Sequence, residues 1–351
     1  MTNGNAQIVP GAAGFPQPGI ARRAFAAATI TLLAGALAGC AFLRSNSPVP
    51  EEWMFVSFPP SSMTAWARAD SLAEAGTVVA MGCASPDSLV FSAEISCAEI
   101  PRDDLRKTRR LLIVTNWSMR GYQSDILRIV MSHAETRERF AQRAVWLAEE
   151  RDYVGMLLDF RSLGPRDVPA LAALVTDIRA AARARDLSPV GIAVPVADTA
   201  AYPGRQLGPL TDFLALQLET EPASPGPLTP REIMARHIGA RAAEIGAHRV
   251  LLLIPADGYA WLAGEGRRRV SFEEAVALAR DWRVELVRDE SSSTLRARAP
   301  GRGEIWVNDA MLIADIVRDA RRLGIRRFAL YGLGGEDPAI WPTIAPRPVT
   351  R

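Results

Sequence analysis

Lysine is almost missing from this chain: Lys107 is the only one among 41 basic residues, and the rest are arginine. That bias fits arginine-rich coding better than a phosphate-binding function. An excess of one charge is missing too, since 41 basic residues face 39 acidic ones for a net charge of +2. Near-balance excludes a dedicated nucleic-acid surface. The three histidines, His133, His237 and His248, are scattered, and no Cys/His cluster stands at metal-ligand spacing, so neither a metal nor a cofactor is expected. Internal repeats and long low-complexity tracts are absent. What is there is 351 residues with 48% apolar content, enough for one large α/β barrel or two ordinary domains around a substantial core.

The N-terminus reads as a targeting segment. Arg22 and Arg23 precede the apolar stretch AFAAATITLLAGALAG, which is shorter than the ~20 residues a bilayer span needs. It ends in Leu37-Ala38-Gly39-Cys40, which resembles the bacterial lipobox; this implies a signal peptide over residues 1–40 and lipidation of Cys40. A plain membrane anchor or an ordinary secretory signal is the alternative. Acyl chains at ~0.8 kcal/mol per buried methylene would hold the protein on a membrane. Ala41, where an Asp would favour inner-membrane retention, favours an outer-membrane, periplasm-facing location in the cell envelope. Export would put Cys83 and Cys97 in an oxidising compartment, where a local disulfide is expected to contribute ~3 kcal/mol at most; two buried thiols are the alternative.

Residues 41–52 form a polar, proline-containing tether. From 53 to 345, strand-like and helix-like segments alternate, the pattern of parallel βα units. Eight strands are predicted: Trp53 to Phe58, Thr77 to Met81, Arg110 to Thr115, Tyr153 to Phe160, Pro189 to Val194, Asp212 to Leu218, Arg249 to Ile254 and Arg327 to Tyr331. Helices are predicted over Ser62 to Ala75, Ala134 to Arg151, Val168 to Asp186, Pro230 to Gly246, Ser271 to Asp281 and Asp309 to Leu323. Ser271 followed by Glu274 is a capping box. Eight units of this size predict a TIM (β/α)8 barrel. Ser88 to Ser96 adds a hairpin at the rim, and residues 283–307 add a small β insertion between the seventh strand and the last helix.

The run Tyr153 to Arg161, YVGMLLDFR, is too short for a helix and too apolar for an edge strand, so it predicts a strand buried on both faces. Asp159 and Arg161 then stand at its carboxyl end, where barrel chemistry sits. The segment resembles the strand-4 signature Gly-x-x-x-Asp-Phe-Glu of family-18 glycoside hydrolases, with Arg161 at the position of the catalytic Glu. Leu330-Tyr331-Gly332-Leu333-Gly334-Gly335-Glu336-Asp337-Pro338-Ala339-Ile340-Trp341 is similar to the closing segment of the family-18 modules fused to glycosyltransferases and polysaccharide deacetylases. Thr115-Asn116-Trp117, Pro225-Gly226-Pro227 and Glu304 to Ala310 match further family segments in the same order.

The resemblance implies that the Glu protonates the leaving oxygen while the substrate's acetamido group attacks the anomeric carbon. Arginine keeps its proton at any accessible pH and cannot take that part. It also places Leu216-Gln217-Leu218-Glu219 against the family's Met-Ala-Tyr-Asp, so that Leu218 replaces a tyrosine. Asp159 is therefore expected to be vestigial, and no catalytic residue is assigned; Glu219 and Glu221 are the only strand-end glutamates available for acid duty. Arg161 either pairs with Asp159 or Glu219 or binds an anionic group such as a uronate carboxylate. Carbohydrate contacts are expected from Asn116, Trp117, Arg161, Glu219, Asp257, Tyr259 and Tyr331, with Trp261 and Trp341 as further aromatic candidates. Glu336 and Asp337 organise the closing loop. The expected function is that of a membrane-anchored lipoprotein binding a polysaccharide or oligosaccharide without hydrolysing it. An active glycosidase using Glu219 or Glu221, or a scaffold in envelope or exopolysaccharide machinery, are the alternatives.

Overall fold

The computed structural model describes residues 51–56, 78–86, 93–95, 108–118, 121–220 and 222–344. Cys40, Cys97, Glu221, the signal segment and the helix expected over 62–75 lie outside the described residues, as does the Cys83–Cys97 pairing.

Eight parallel strands carry the fold: β1 (Glu52–Val56), β2 (Val78–Pro86), β3 (Arg109–Thr115), β4 (Gly155–Asp159), β5 (Val190–Pro195), β6 (Phe213–Gln217), β7 (Val250–Pro255) and β8 (Arg327–Tyr331). Each pairs with its neighbour in sequence, and β1 pairs with both β2 and β8. That last pairing closes the eight strands into a barrel. The expected hairpin at the rim is present as the antiparallel strand Ala93–Ile95 beside the end of β2.

The strands read as continuous apolar runs because both faces are covered, and period-two alternation splits them into two cores. Met156, Leu158, Leu214, Leu216, Leu252 and Phe328 point out to the helices. Leu157, Phe213, Ala215, Leu251, Leu253 and Ala329 fill the barrel. A Cβ on Gly191 would come within 2.2 Å of the Phe213 ring, so the large side chain occupies the space the glycine leaves.

The helices are held by stripes and caps. Helix Ala310–Arg322 buries Leu312, Ile313, Ile316, Val317 and Ala320 on one face, and Asp309 caps it by accepting from the Leu312 N–H at 3.1 Å. The Ser271–Glu274 capping box is made in both directions, at 3.1 and 2.8 Å. Helix Ser124–Ser132, ahead of Ala134–Glu150, is an element the sequence pattern did not resolve.

The insertion is larger than the 283–307 expected. It begins at Gly258, directly after β7, and runs to Val307. Its five-stranded antiparallel sheet orders strands Gly266–Val270, Gly258–Leu262, Gly303–Val307, Leu295–Ala299 and Val287–Arg288. Helix Phe272–Trp282, read as a barrel helix, instead belongs to it, because Ala275 and Ala279 pack with Ala260, Val270, Ala297, Ile305 and Val307 in a separate core.

Candidate functional site

Inward-pointing residues at the carboxyl ends of β4, β6, β7 and β8 are polar where the rows beneath them are apolar. Asp159 ends β4, 5% exposed, and accepts from three donors. Arg161 donates from Nε to its Oδ1 at 2.9 Å and from Nη2 to its Oδ2 at 3.4 Å, and the Gln217 amide reaches Oδ1 at 3.0 Å from β6. The backbone of Arg161 is fixed independently. Asn116, at the end of β3, accepts from its N–H at 2.8 Å and donates to its carbonyl at 2.9 Å. Tyr202 donates its hydroxyl to the Phe160 carbonyl at 2.9 Å. The residue after the fourth strand is thus held by neighbours on both sides.

A second charge cluster lies at the ends of β6 and β7. Arg269, on insertion strand Gly266–Val270, pairs with Asp257 through Nε and through Nη2 at 2.8 Å, and with Glu219 at 3.2 Å. Glu219 also accepts from the Tyr259 hydroxyl at 2.9 Å. Gly332 adopts φ +87°, and a Cβ there would come within 3.1 Å of the Asp257 carboxylate, so the turn after β8 needs glycine to let that carboxylate sit. Burial, with Glu219 adding to it, pushes the Asp257 carboxyl up to about 6, against the opposing pull of Arg269.

Tyr331 ends β8 between the two clusters. The Arg161 guanidinium lies 6.0 Å from its ring centroid and that of Arg269 4.9 Å, while Arg161 also sits 4.9 Å from the ring of Tyr122. Burial pushes the Tyr331 phenol up to about 12 although both arginines pull it down. Tyr122 and Tyr259 are raised as well, chiefly by burial and then by Asp159 and Glu219 respectively. Burial opposes the charge on Arg161, but Asp159, Tyr122 and Tyr331 more than offset it, and its pKa lies well above the ordinary value. All three phenols are therefore neutral rings, and the arginine is a fixed cation.

Of the residues expected to meet at the site, Arg161, Glu219, Asp257, Tyr259 and Tyr331 do so through the contacts above. Asn116 is 1% exposed, and both ends of its side-chain amide are spent on the backbone of Arg161. Trp117 is half-buried, on the short strand Trp117–Ser118, and packs on the barrel's inner core. Trp341 stacks on Phe55 at 5.3 Å and donates to Glu336 at 3.1 Å, a packing role. Leu218 needs a correction. It points outward into the helix-facing core, so it does not occupy an inward tyrosine position; Gln217 and Glu219 are the inward residues of that segment. Arg269, Tyr122, Gln217 and Tyr202 were not anticipated as parts of the site. The alternation that points Phe213 and Ala215 inward also identifies Gln217, whereas nothing in the sequence brings Arg269 to Asp257.

Chemically, the arrangement offers carboxylates that are already engaged. Asp159 is held by Arg161, and Glu219 and Asp257 share Arg269. Asp159 and Glu219, bound by cationic donors, are poor general acids, and neither arginine can exchange a proton; Asp257, its carboxyl pushed up to about 6, is itself held by Arg269.

No family model matches the chain. A curated relative, an uncharacterized glycosylase, YvbX, of Bacillus subtilis (strain 168), is 20% identical over 258 residues, covering 68% of this chain and 75% of the relative. Among solved structures, the spore cortex-lytic enzyme SleL of Bacillus megaterium QM B1551 is similar with a TM-score of 0.74 at 16% identity, over 86% of this chain and 74% of that one. A chitinase from Chromobacterium violaceum ATCC 12472 gives a TM-score of 0.71 at 20% identity, over 85% of this chain and 100% of that one. The chain therefore has the (β/α)8 barrel fold of the family-18 glycoside hydrolases.

Proposed function

We propose that this protein is a lipid-anchored, periplasm-facing lipoprotein whose barrel binds a polysaccharide of the cell envelope or exopolysaccharide and does not cut it. The observation that carries the reading is the Arg161–Asp159 pair. It stands at the strand-4 end, where the family resemblance puts the general acid, and both partners are largely buried. Glu219, the replacement acid within the described residues, is bound by Arg269 and Tyr259. The relatives' names, glycosylase and chitinase, support a glycan as the ligand class. Tyr259 and Tyr331 are each only 7% exposed, and the aromatic beside them with an open part is the half-buried Trp261, a ring of the kind on which sugars stack. A scaffold role in an envelope assembly is the second reading, favoured by the filling of the strand ends with ion pairs.

The test is a screen of the full-length protein for glycan binding and for release of reducing ends, with Arg161→Glu alongside and circular dichroism to check folding. Binding of at least one glycan by the wild type with no release of reducing ends is the expected result. Wild-type turnover, or failure to bind any glycan, contradicts the proposal.

A further inference from the structure

One face of the insertion sheet has a composition that its apolar reverse does not share. Register and alternation place Arg269, Tyr259, Trp306 and Arg296 in one row across four strands, and Arg267, Trp261, Glu304 and Arg298 in the next. The reverse carries Ala260, Val270, Ala297, Ile305 and Val307 and is covered by helix Phe272–Trp282. Each row on the front begins and ends with an arginine; between them the first holds the buried rings of Tyr259 and Trp306, and the second the half-buried Trp261 and Glu304. The four strands thus present four arginines and one glutamate on this face.

The rings and cations are interleaved in space as well as in register. Arg267 lies 4.7 Å from the ring centroid of Tyr259, Arg296 lies 5.7 Å from that of Trp306, and Tyr259 meets Trp261 edge-on at 5.9 Å. Trp306 donates to Glu304 at 2.7 Å, which uses its N–H and turns the one acid of the face onto an indole. Arg298 is 82% exposed and 3.9 Å from Glu304, and Arg296, 48% exposed, lies 3.4 Å from Asp289. Through Arg269 and Tyr259 the first row joins the strand-end cluster of Glu219, Asp257 and Tyr331. There the Arg161 guanidinium donates from Nε and Nη2 to Asp159.

We infer that this face extends the strand-end site and that its ligand is an acidic polysaccharide, one bearing carboxylates along the chain. The inference rests on the glycan-binding reading and adds the charge of the ligand to it. The half-buried Trp261 is placed to take the apolar face of a pyranose ring, and the planar guanidinium groups around it match carboxylates with two parallel hydrogen bonds. Exposed arginines in rows contribute attraction that salt screens, so binding of such a polymer weakens as ionic strength rises.

The experiment compares the full-length protein with polygalacturonate, alginate and neutral chitohexaose, by isothermal titration at low and high salt. Arg267→Gln/Arg298→Gln and Trp261→Ala are the variants, and thermal melts confirm that they fold. The polyuronates are expected to bind at least about 10-fold more tightly than chitohexaose at low salt, and the double arginine variant to lose about 5- to 10-fold in that affinity with a flatter salt dependence. Trp261→Ala is expected to weaken binding at every salt concentration. Equal or tighter binding of the neutral oligosaccharide, unaffected by the arginine changes, overturns the acidic ligand while leaving glycan binding intact. Absence of binding to all three overturns the inference as well, and the wider glycan screen then decides whether the underlying function falls with it.

Discussion

The Arg161 guanidinium turns back onto the carboxylate two residues before it, Nε meeting Oδ1 of Asp159 at 2.9 Å, with side chains only 14% and 7% exposed. Removing one member of such a pair leaves the other charged and largely buried, which costs more than the pair contributes when intact. Arg161→Ala, which leaves Asp159 only the Gln217 amide, is expected to lower stability by about 3–5 kcal/mol in chemical denaturation. The double variant Asp159→Asn/Arg161→Gln is expected to cost less than the sum of its single changes, since it removes both charges together. Additive losses would show that the pair is not coupled.

Asn116 offers a separate handle on the same backbone. Asn116→Leu removes both the acceptor for the Arg161 N–H and the donor to its carbonyl. Each buried group left without a partner costs about 1–3 kcal/mol, so Asn116→Leu is expected to be clearly destabilising in denaturant unfolding. If Leu were tolerated, the clasp would not be what holds residue 161.

The Asp257 carboxyl, pushed up to about 6, gives a pH dependence of definite sign. Its folded pKa exceeds the ~3.9 of an unfolded Asp, so between those values the folded chain binds more protons than the unfolded one. The contribution of this group to stability is thus present at low pH and is lost as pH rises through about 6. Relative to Asp257→Asn, the wild type is expected to lose melting temperature from pH 4 to pH 7. The opposite slope would mean that the Arg269 pair outweighs burial.

The proposed anchor is tested apart from the barrel. Cys40→Ser is expected to shift the protein from the membrane fraction to the soluble periplasmic fraction and to abolish incorporation of labelled palmitate. Membrane retention of the unlabelled variant would point to a plain anchor instead.

The barrel was legible in the sequence because parallel strands covered on both faces leave continuous apolar runs, as in VLLLIP of β7, between helices with one-sided stripes. Asp159 and Arg161 were legible for the same reason, since a charged pair at the end of such a run marks a strand end. The start of the insertion was not legible, because Asp257-Gly258-Tyr259 has the look of a loop. Gly258 in fact begins a strand, and a Cβ there would lie 2.2 Å from the Trp306 carbonyl oxygen, so the glycine marks a close strand pairing. Arg269 was hidden within an arginine run, and only the folding of that strand beside Tyr259 brings it to Asp257 and Glu219. Leu218 shows how little a local match says about direction, because a one-residue shift in a strand exchanges its two faces.

The most direct measurement is release of reducing ends from a glycan that the wild-type protein demonstrably binds, run beside Glu219→Gln. Retention of the glycan with no reducing ends from either protein is the predicted result. Turnover by the wild type that Glu219→Gln abolishes would contradict it and make the protein a glycosidase with a relocated acid.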